Sequence, residues 1–433
     1  MKSLSITVCA LMLASSSSFA QSSVTRTRTT TGTVNSQSAN SRNTPDFAPT
    51  VRKSTPAEIE VDVKQAFKQA DKQTILLLKE IEKTKAASTN ADQFSPRTLE
   101  KGELKLVASR DWTSGFFPGE LWFLYQYTGK QVWLDQAKAF TALVEQEQFN
   151  GKTHDMGFKV YCSVGTGYRI TKDKHYADVI IQSAKTLATR FNPKTGVIRS
   201  WDHSTDKWIN PVIIDNMMNL ELLFEATALT GDSSFYKIAV SHANTTMKNH
   251  FRPDYSSYHV IDYDPNTGAV LKKNTHQGYS HESAWSRGQA WALYGYTMCY
   301  RFTKNPVYLK QAENIAAFIL NHKNMPADLV PYWDFDAPNI PNEPRDASAA
   351  AVIASGLYEL SDYSKNKSLY LKKADIMLNS LSTKYISPVG ENKGFILLSS
   401  TGSKPSDSEV DVPLSYADYY YLEALLRYKS LKR

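Results

Sequence analysis

Three stretches of the chain repeat one design. They read YQYTGKQVWLDQA around Thr128, TALTGDSSFYKIA around Thr230 and YRFTKNPVYLKQA around Thr303. In each, a Thr-Gly or Thr-Lys turn is followed five residues later by Trp133, Phe235 or Tyr308. Four residues after those come Ala137, Ala239 and Ala312. Looser copies stand at Thr171 with Tyr176, and from Tyr363 to Tyr370 with Ala374. Apolar residues on both sides of each turn keep the spacing of an amphipathic helix. Each copy therefore reads as a helix, a tight turn and a second helix, with an aromatic and a small residue closing the corner.

Extending this pattern predicts helices over roughly 57–86, 115–128, 131–149, 158–171, 173–191, 213–229, 232–249, 283–302, 305–322, 346–363, 366–384 and 413–430. Twelve helices in hairpins close into an all-α (α/α)6 barrel, six inside and six outside. An open stack of hairpins would leave its end units exposed, and closure removes those ends. The longer connections, Phe94–Ser114, Gly196–Asn210 and Arg252–Glu282, are rich in Trp, His and Gly. Such loops on a rigid scaffold are where sites are built.

The chain ahead of the first hairpin has a different composition. Met1–Ala20 carries Lys2, an apolar stretch and Ser18-Phe19-Ala20, which reads as a secretory signal cleaved before Gln21. Residues 21–56 are Ser/Thr/Asn-rich and read as a disordered linker, leaving 57–433 for the barrel. The expected location is the periplasm. The formal charge of +7 falls to +2 once Lys2, and the five basic and one acidic residues of 21–56, are set aside. That balance argues against a nucleic-acid partner. No later segment is apolar enough to span a bilayer. Beyond the leader only Cys162 and Cys299 remain, both in apolar helical patterns, and they are expected as buried free thiols. Nothing in the sequence sets the oligomeric state.

Two aspartates draw attention. Asp215, in PVIIDNMMNLE, sits where an apolar loop becomes a helix, near the positive end of the helix dipole. Asp155, in HDMGF, has a similar setting ahead of the apolar run from Val160 to Ile170. An N-cap is the ordinary role for either one. Two together among many tryptophans suggest an acid/base pair in a sugar-sized cleft. Trp112, Trp201, Trp208, Trp285, Trp291 and Trp333 lie in loops or at helix starts and suit stacking on sugar rings. Arg287, between Trp285 and Trp291, suits a carboxylate or sulfate. His259 and Gln277 flank a tyrosine-rich loop. The run Asp262–Gly268 resembles a calcium loop, but Pro265 and Lys273 spoil it and a hairpin turn is expected. Phosphate-loop, dinucleotide, zincin and serine-elbow patterns are absent, so neither cofactor nor metal is expected.

Six motifs then stand in one order: DWTSGFFPGELW (Asp111–Trp122), HDMGF (His154–Phe158), IDNMMNLE (Ile214–Glu221), ESAWSRGQAWALYGYT (Glu282–Thr297), PRDASAAAVIASGLYEL (Pro344–Leu360) and EVDVPLSYADYYYLEALLR (Glu409–Arg427). Together they resemble the unsaturated glucuronyl hydrolases, family 88 of the glycoside hydrolases, over roughly Ala57 to Arg433. The resemblance implies an (α/α)6 barrel. It also implies an oligosaccharide substrate bearing the 4,5-unsaturated uronic acid that polysaccharide lyases leave, of glycosaminoglycan or ulvan type. It implies hydration of the C4=C5 enol ether, with Asp215 as general acid/base and Asp155 as supporting carboxylate. Trp112, His154, Trp201, His259, Gln277, Trp285, Arg287 and Trp291 match substrate-binding positions. Ser399 and Lys404 match a segment that receives a sulfate in some members. Gly402 departs from sulfate-preferring members, which can carry Ser there. Alternatives are an unsaturated rhamnogalacturonyl hydrolase or a conventional glycosidase on the same fold, and a non-catalytic sugar-binding protein.

Overall fold

The structure is a computed structural model that describes residues 59–432. The predicted signal, the linker and Cys9 lie outside them. The hairpin corners form as the repeat predicts. Gly129, Gly231 and Lys304 end their helices in the left-handed region, with φ of 67°, 74° and 54°, and Lys172 does so at 58°. Each preceding threonine works in both directions. The hydroxyls of Thr128, Thr171, Thr230 and Thr303 donate to the carbonyls of Leu124, Gly167, Ala226 and Cys299. They also accept from the backbone N–H two residues on. Asp173, Asp232 and Asn305 then cap the next helix. Trp133, Phe235, Tyr308 and their partner alanines are all buried.

The helices are α1 (Val63–Ala87), α2 (Phe116–Thr128), α3 (Gln131–Val144), α4 (Thr166–Thr171), α5 (Lys174–Ala188), α6 (Leu220–Thr230), α7 (Ser233–Asn249), α8 (Ser286–Thr303), α9 (Pro306–Asn321), α10 (Ala347–Ser361), α11 (Lys367–Lys384) and α12 (Ser415–Leu431). A π-helical stretch, Gly157–Gly165, leads into α4, and a 3-10 segment, Ile214–Asn219, leads into α6. Buried residues separate two rings. In α8 and α10 nearly every side chain is buried, whereas α3, α5, α7 and α9 bury one stripe each. The even-numbered helices touch in the order α2, the π-helix with α4, α6, α8, α10, α12, and α12 returns to α2. This is the (α/α)6 barrel.

The long connections are more ordered than the sequence patterning suggested. They hold four small antiparallel sheets, built from β1 (Ser95–Glu100), β2 (Glu103–Val107), β3 (Phe191–Asn192), β4 (Val197–Ile198), β5 (Pro211–Ile213), β6 (Val260–Tyr263), β7 (Val270–Asn274), β8 (Ser400–Ser403) and β9 (Ser408–Val412). The strands are two to six residues long, too short for period-two alternation to stand out. The calcium-like run is the turn between β6 and β7. Asp264 caps it by accepting from Asn266 N–H, and Asp262 instead accepts from Ile209 and Asn210 N–H. Cys162 and Cys299 are free and buried, and burial pushes both thiols up. Among the described residues no helix is long and apolar enough to cross a membrane.

Candidate active site

In-and-out hairpins put the N-termini of all six inner helices at one end of the barrel. The predicted site residues sit there. Trp112 precedes α2, Asp155 precedes the π-helix, and Asp215 opens the 3-10 segment before α6. Arg287 lies in the first turn of α8, Asp346 caps α10, and Tyr416 begins α12. A cavity of about 230 Å³ at this end is lined by Trp112, His154, Asp155, Trp201, Asp215, Gln277 and Arg287. Lys152, Thr153, Phe158, Ser200, His203 and Ile213 complete its wall.

Asp215 owes its place to a short sheet. β5 pairs with β6 so that Ile213 faces Val260, and Ile214 N–H donates to His259 carbonyl at 3.0 Å. The chain leaves β5 extended at Ile213 and turns helical at once. Asp215 and His259 therefore emerge side by side. His259 Nδ1 accepts from the N–H groups of His276 and Gln277, both at 3.1 Å. The ring proton therefore belongs on Nε2, which lies 3.6 Å from Asp215 Oδ2. That gap is longer than a hydrogen bond, and both atoms are buried without a partner. Burial pushes His259 well below the usual imidazole range, so it is neutral.

The Asp215 carboxyl is pushed up to about 7. Burial is the main cause and the Asp155 charge adds to it. Arg287, the backbone amide of Asp215 and the Trp291 indole oppose the rise. Asp155 is held on both oxygens: Thr153 Oγ1 donates to Oδ2 at 2.7 Å, and His154 Nε2 stands 3.2 Å from Oδ1. The pair thus has unlike environments, one carboxyl buried and raised, the other tied to polar partners.

Arg287 is buried and already engaged. It pairs with Asp346 at 3.0 Å and donates to the carbonyls of Thr401 and Gly402 at 2.5 and 2.7 Å. Its Nε has no partner. The guanidinium stacks on Trp285 and Tyr416, at 4.5 and 5.2 Å. Gln277 also donates to the Gly402 carbonyl, at 3.0 Å. Arg287 and Gln277 therefore anchor the β8 backbone to the cavity wall. Ser399 and Lys404 lie at the two ends of β8, outside the cavity lining. Trp285 packs on His259 and Trp291 on Phe158, behind the wall. Trp208 backs Trp201, whereas the Trp333 indole bonds Glu343 away from the cavity.

A model of Glycosyl Hydrolase Family 88 matches residues 84–429. The chain belongs to glycosyl hydrolase family 88. An unsaturated glucuronyl hydrolase of Formosa agariphila is 55% identical over 327 residues, covering 75% of this chain and 82% of the relative. An unsaturated chondroitin disaccharide hydrolase of Streptococcus pneumoniae is 34% identical over 331 residues, 75% of this chain and 83% of that one. A crystal structure of an unsaturated glucuronyl hydrolase specific for heparin superposes with a TM-score of 0.79 at 49% identity, covering 85% of this chain and 98% of that one. This family 88 chain is a glycoside hydrolase, and unsaturated glucuronyl hydrolase activity is the function these relatives support.

Sequence reasoning passed over Lys152, Thr153 and His203 in the wall and Asp346 behind it. Thr153, two residues ahead of Asp155, is a short polar turn with no distinguishing pattern. Asp346 stood inside a quoted motif, but only the fold brings it against Arg287.

Proposed function

We propose that the enzyme removes the 4,5-unsaturated uronic acid from the non-reducing end of lyase-generated oligosaccharides of glycosaminoglycan or ulvan type, by hydrating C4=C5. The observation that carries this reading is Asp215, a buried carboxyl pushed up to about 7 in a cavity of single-sugar scale. Protonating an enol ether carbon needs an acid that is still neutral near working pH. Asp215 gives its proton to C4, and positive charge develops at C5 and the ring oxygen. The Asp215 carboxylate then takes a proton from the water that adds to C5, which restores the acid. The C5 hemiketal opens to a ketone, and the hemiacetal left at C1 releases the aglycone alcohol.

Asp155 orients the ring hydroxyls, and its charge adds to the burial that keeps Asp215 protonated. Neutral His259 offers its Nε2–H beside the reacting carboxyl. Six helix N-termini at this end favour a substrate that bears a carboxylate. Trp112, Trp201, Gln277 and His154 form the walls of the subsite, Trp285 and Trp291 back them, and Arg287 supports the substrate carboxylate through its free Nε and its charge. Ser399 and Lys404 stand toward the neighbouring sugar. A side chain at 402 would collide with the Glu409 carboxylate, which is held by Arg97. A carboxylate there supports a preference for substrates without sulfate at that point. The leader and linker composition supports export to the periplasm.

Turnover of an unsaturated disaccharide in heavy water tests the mechanism. Early product carrying deuterium at C4, with loss of the alkene absorbance, is the expected result. Heavy oxygen delivered directly to C1 with no C4 deuterium, or brisk turnover of the saturated analogue, would leave a conventional two-carboxylate glycosidase.

A further inference from the structure

The two aspartates stand on different inner elements, and one side chain joins those elements. Asn219 lies four residues after Asp215, at the end of the same 3-10 segment. Its Oδ1 accepts from the N–H of Gly157 at 2.8 Å and of Phe158 at 3.2 Å, the first two residues of the π-helix. Asp155 is two residues upstream, and its carbonyl already belongs to that helix, accepting from Lys159 N–H at 2.9 Å. The approach is close: a Cβ on Gly157 would lie 2.6 Å from Asn219 Cα. Asn219 is fully buried, and its Nδ2 has no partner. A side chain kept only for packing would have no reason to leave a buried amide donor unpaired. The retained feature is the forked acceptor.

We propose that Asn219 is a positioning residue that sets the placement of Asp155 relative to Asp215. It touches neither carboxylate and acts through the backbone of the π-helix. This rests on the roles proposed above for the two aspartates. A π-helix start freed from Asn219 retreats from the 3-10 segment, and Asp155 goes with it. The proton donor then loses a neighbouring anion that holds its proton, and the bound ring loses a fixed partner. Misplacement on the scale of an ångström costs on the order of a hundredfold in rate.

The charged groups that act on Asp215 are Asp155 and Arg287, with the Trp291 indole and neutral His259 beside it. Of these, Asp155 rides on the segment that Asn219 holds, next to His154. His154 is pushed down by burial and stays neutral, so the charge displaced is that of Asp155. The sign follows. In Asn219→Ala the anion recedes, and the limb at which Asp215 loses its proton moves to lower pH. Asn219→Asp keeps the acceptor at the positive end of the π-helix and adds a second anion near Asp215, so the limb moves to higher pH.

The experiment compares kcat and KM against pH for wild type, N219A and N219D on an unsaturated uronyl disaccharide, beside thermal melting. N219A is expected to lose at least about tenfold in kcat with an acid-shifted limb. N219D is expected to recover much of the rate with an alkaline-shifted limb. An N219A enzyme that melts lower but keeps its limb and kcat would make Asn219 a packing residue only. Limbs that move the same way in both variants would also overturn the proposal. If N219A does not fold, the milder N219S, whose hydroxyl falls short of Gly157 N–H, must show the acid shift. Carbon-13 titration of the Asp215 carboxyl gives the same readout without turnover. A wild type inert on the disaccharide would defeat the proposed function, and the titration would still decide on Asn219.

Discussion

At the scale of single residues, burial of Asp215 links proton binding to folding. Its pKa rises from 3.8 to about 7, so the folded chain holds this proton more tightly than the unfolded one. The associated stability is complete below pH 4 and is lost as pH climbs through 7. Above that, a shift of this size corresponds to a penalty on the order of 4 kcal/mol. Asp215→Asn removes the penalty and, on the proposed mechanism, the proton donor together. We expect the variant to melt higher than wild type at pH 8, to match it near pH 4, and to lose nearly all turnover while still binding substrate. Melting curves at the two pH values check this, and equal curves at pH 8 would mean that Asp215 is ionised without cost. The comparison needs a matched wild type, because burial also pushes Glu120 and Asp418 up, Asp418 to about 8. Asp215 and Asp155 were legible in the sequence because a carboxylate before an apolar helix is a local pattern. Asn219 was not, since its partners Gly157 and Phe158 are sixty residues away and only the fold joins them.

At the scale of elements, the Thr-Gly corner does the local work and also sits away from the chemistry. Gly231 closes α6 at φ 74°, with no neighbour near the place a Cβ would take. A substitution there is strained by its backbone alone, by about 1–2 kcal/mol. Gly231→Val should lower the melting temperature and leave kcat/KM unchanged, because Asp215 lies beyond the opposite end of α6. Lys304, at the equivalent corner with φ 54°, should gain stability as glycine. Loss of turnover in the valine variant without loss of stability would show that the far corner reaches the site. Helix existence was readable from this corner because a threonine turn, an aromatic five residues on and an alanine four residues after that leave a spaced signature. The π-helix was not, because residue types do not distinguish bonding to the fifth residue from bonding to the fourth. Its surroundings are tertiary: α2 and the residue before it come so close that a Cβ on Gly115 or Gly119 would strike the carbonyls of Lys159 or Cys162.

At the scale of the molecule, the pocket belongs to no single hairpin. Its lining runs from Trp112 to Arg287, and Asp346 at α10 and Tyr416 at α12 hold Arg287 from behind. Residues 21–56 carry few large apolar side chains. Deleting residues 21–56 should therefore leave turnover and melting temperature nearly unchanged. A large fall in either would mean that this segment docks on the barrel. The barrel could be anticipated from the hairpin repeat, since twelve half-buried helices need a closed arrangement. The small sheets that aim Asp215 and tie down β8 could not, because strands of two to six residues owe their pairing to the helices that bring them together.

Closure falls to the end of the chain. α12 completes the inner ring against α2 and α10, and Val61 N–H at the start of the barrel donates to Tyr428 Oη at 3.2 Å near its finish. A polypeptide halted a few dozen residues early is therefore not a slightly shorter enzyme. It is a split ring with a greasy seam along two helices, and it lacks Tyr416, on which the Arg287 guanidinium stacks. Such a product is expected to be inert toward substrate and conspicuous to chaperones and proteases. The order of synthesis thus makes catalytic competence the last property the nascent protein acquires.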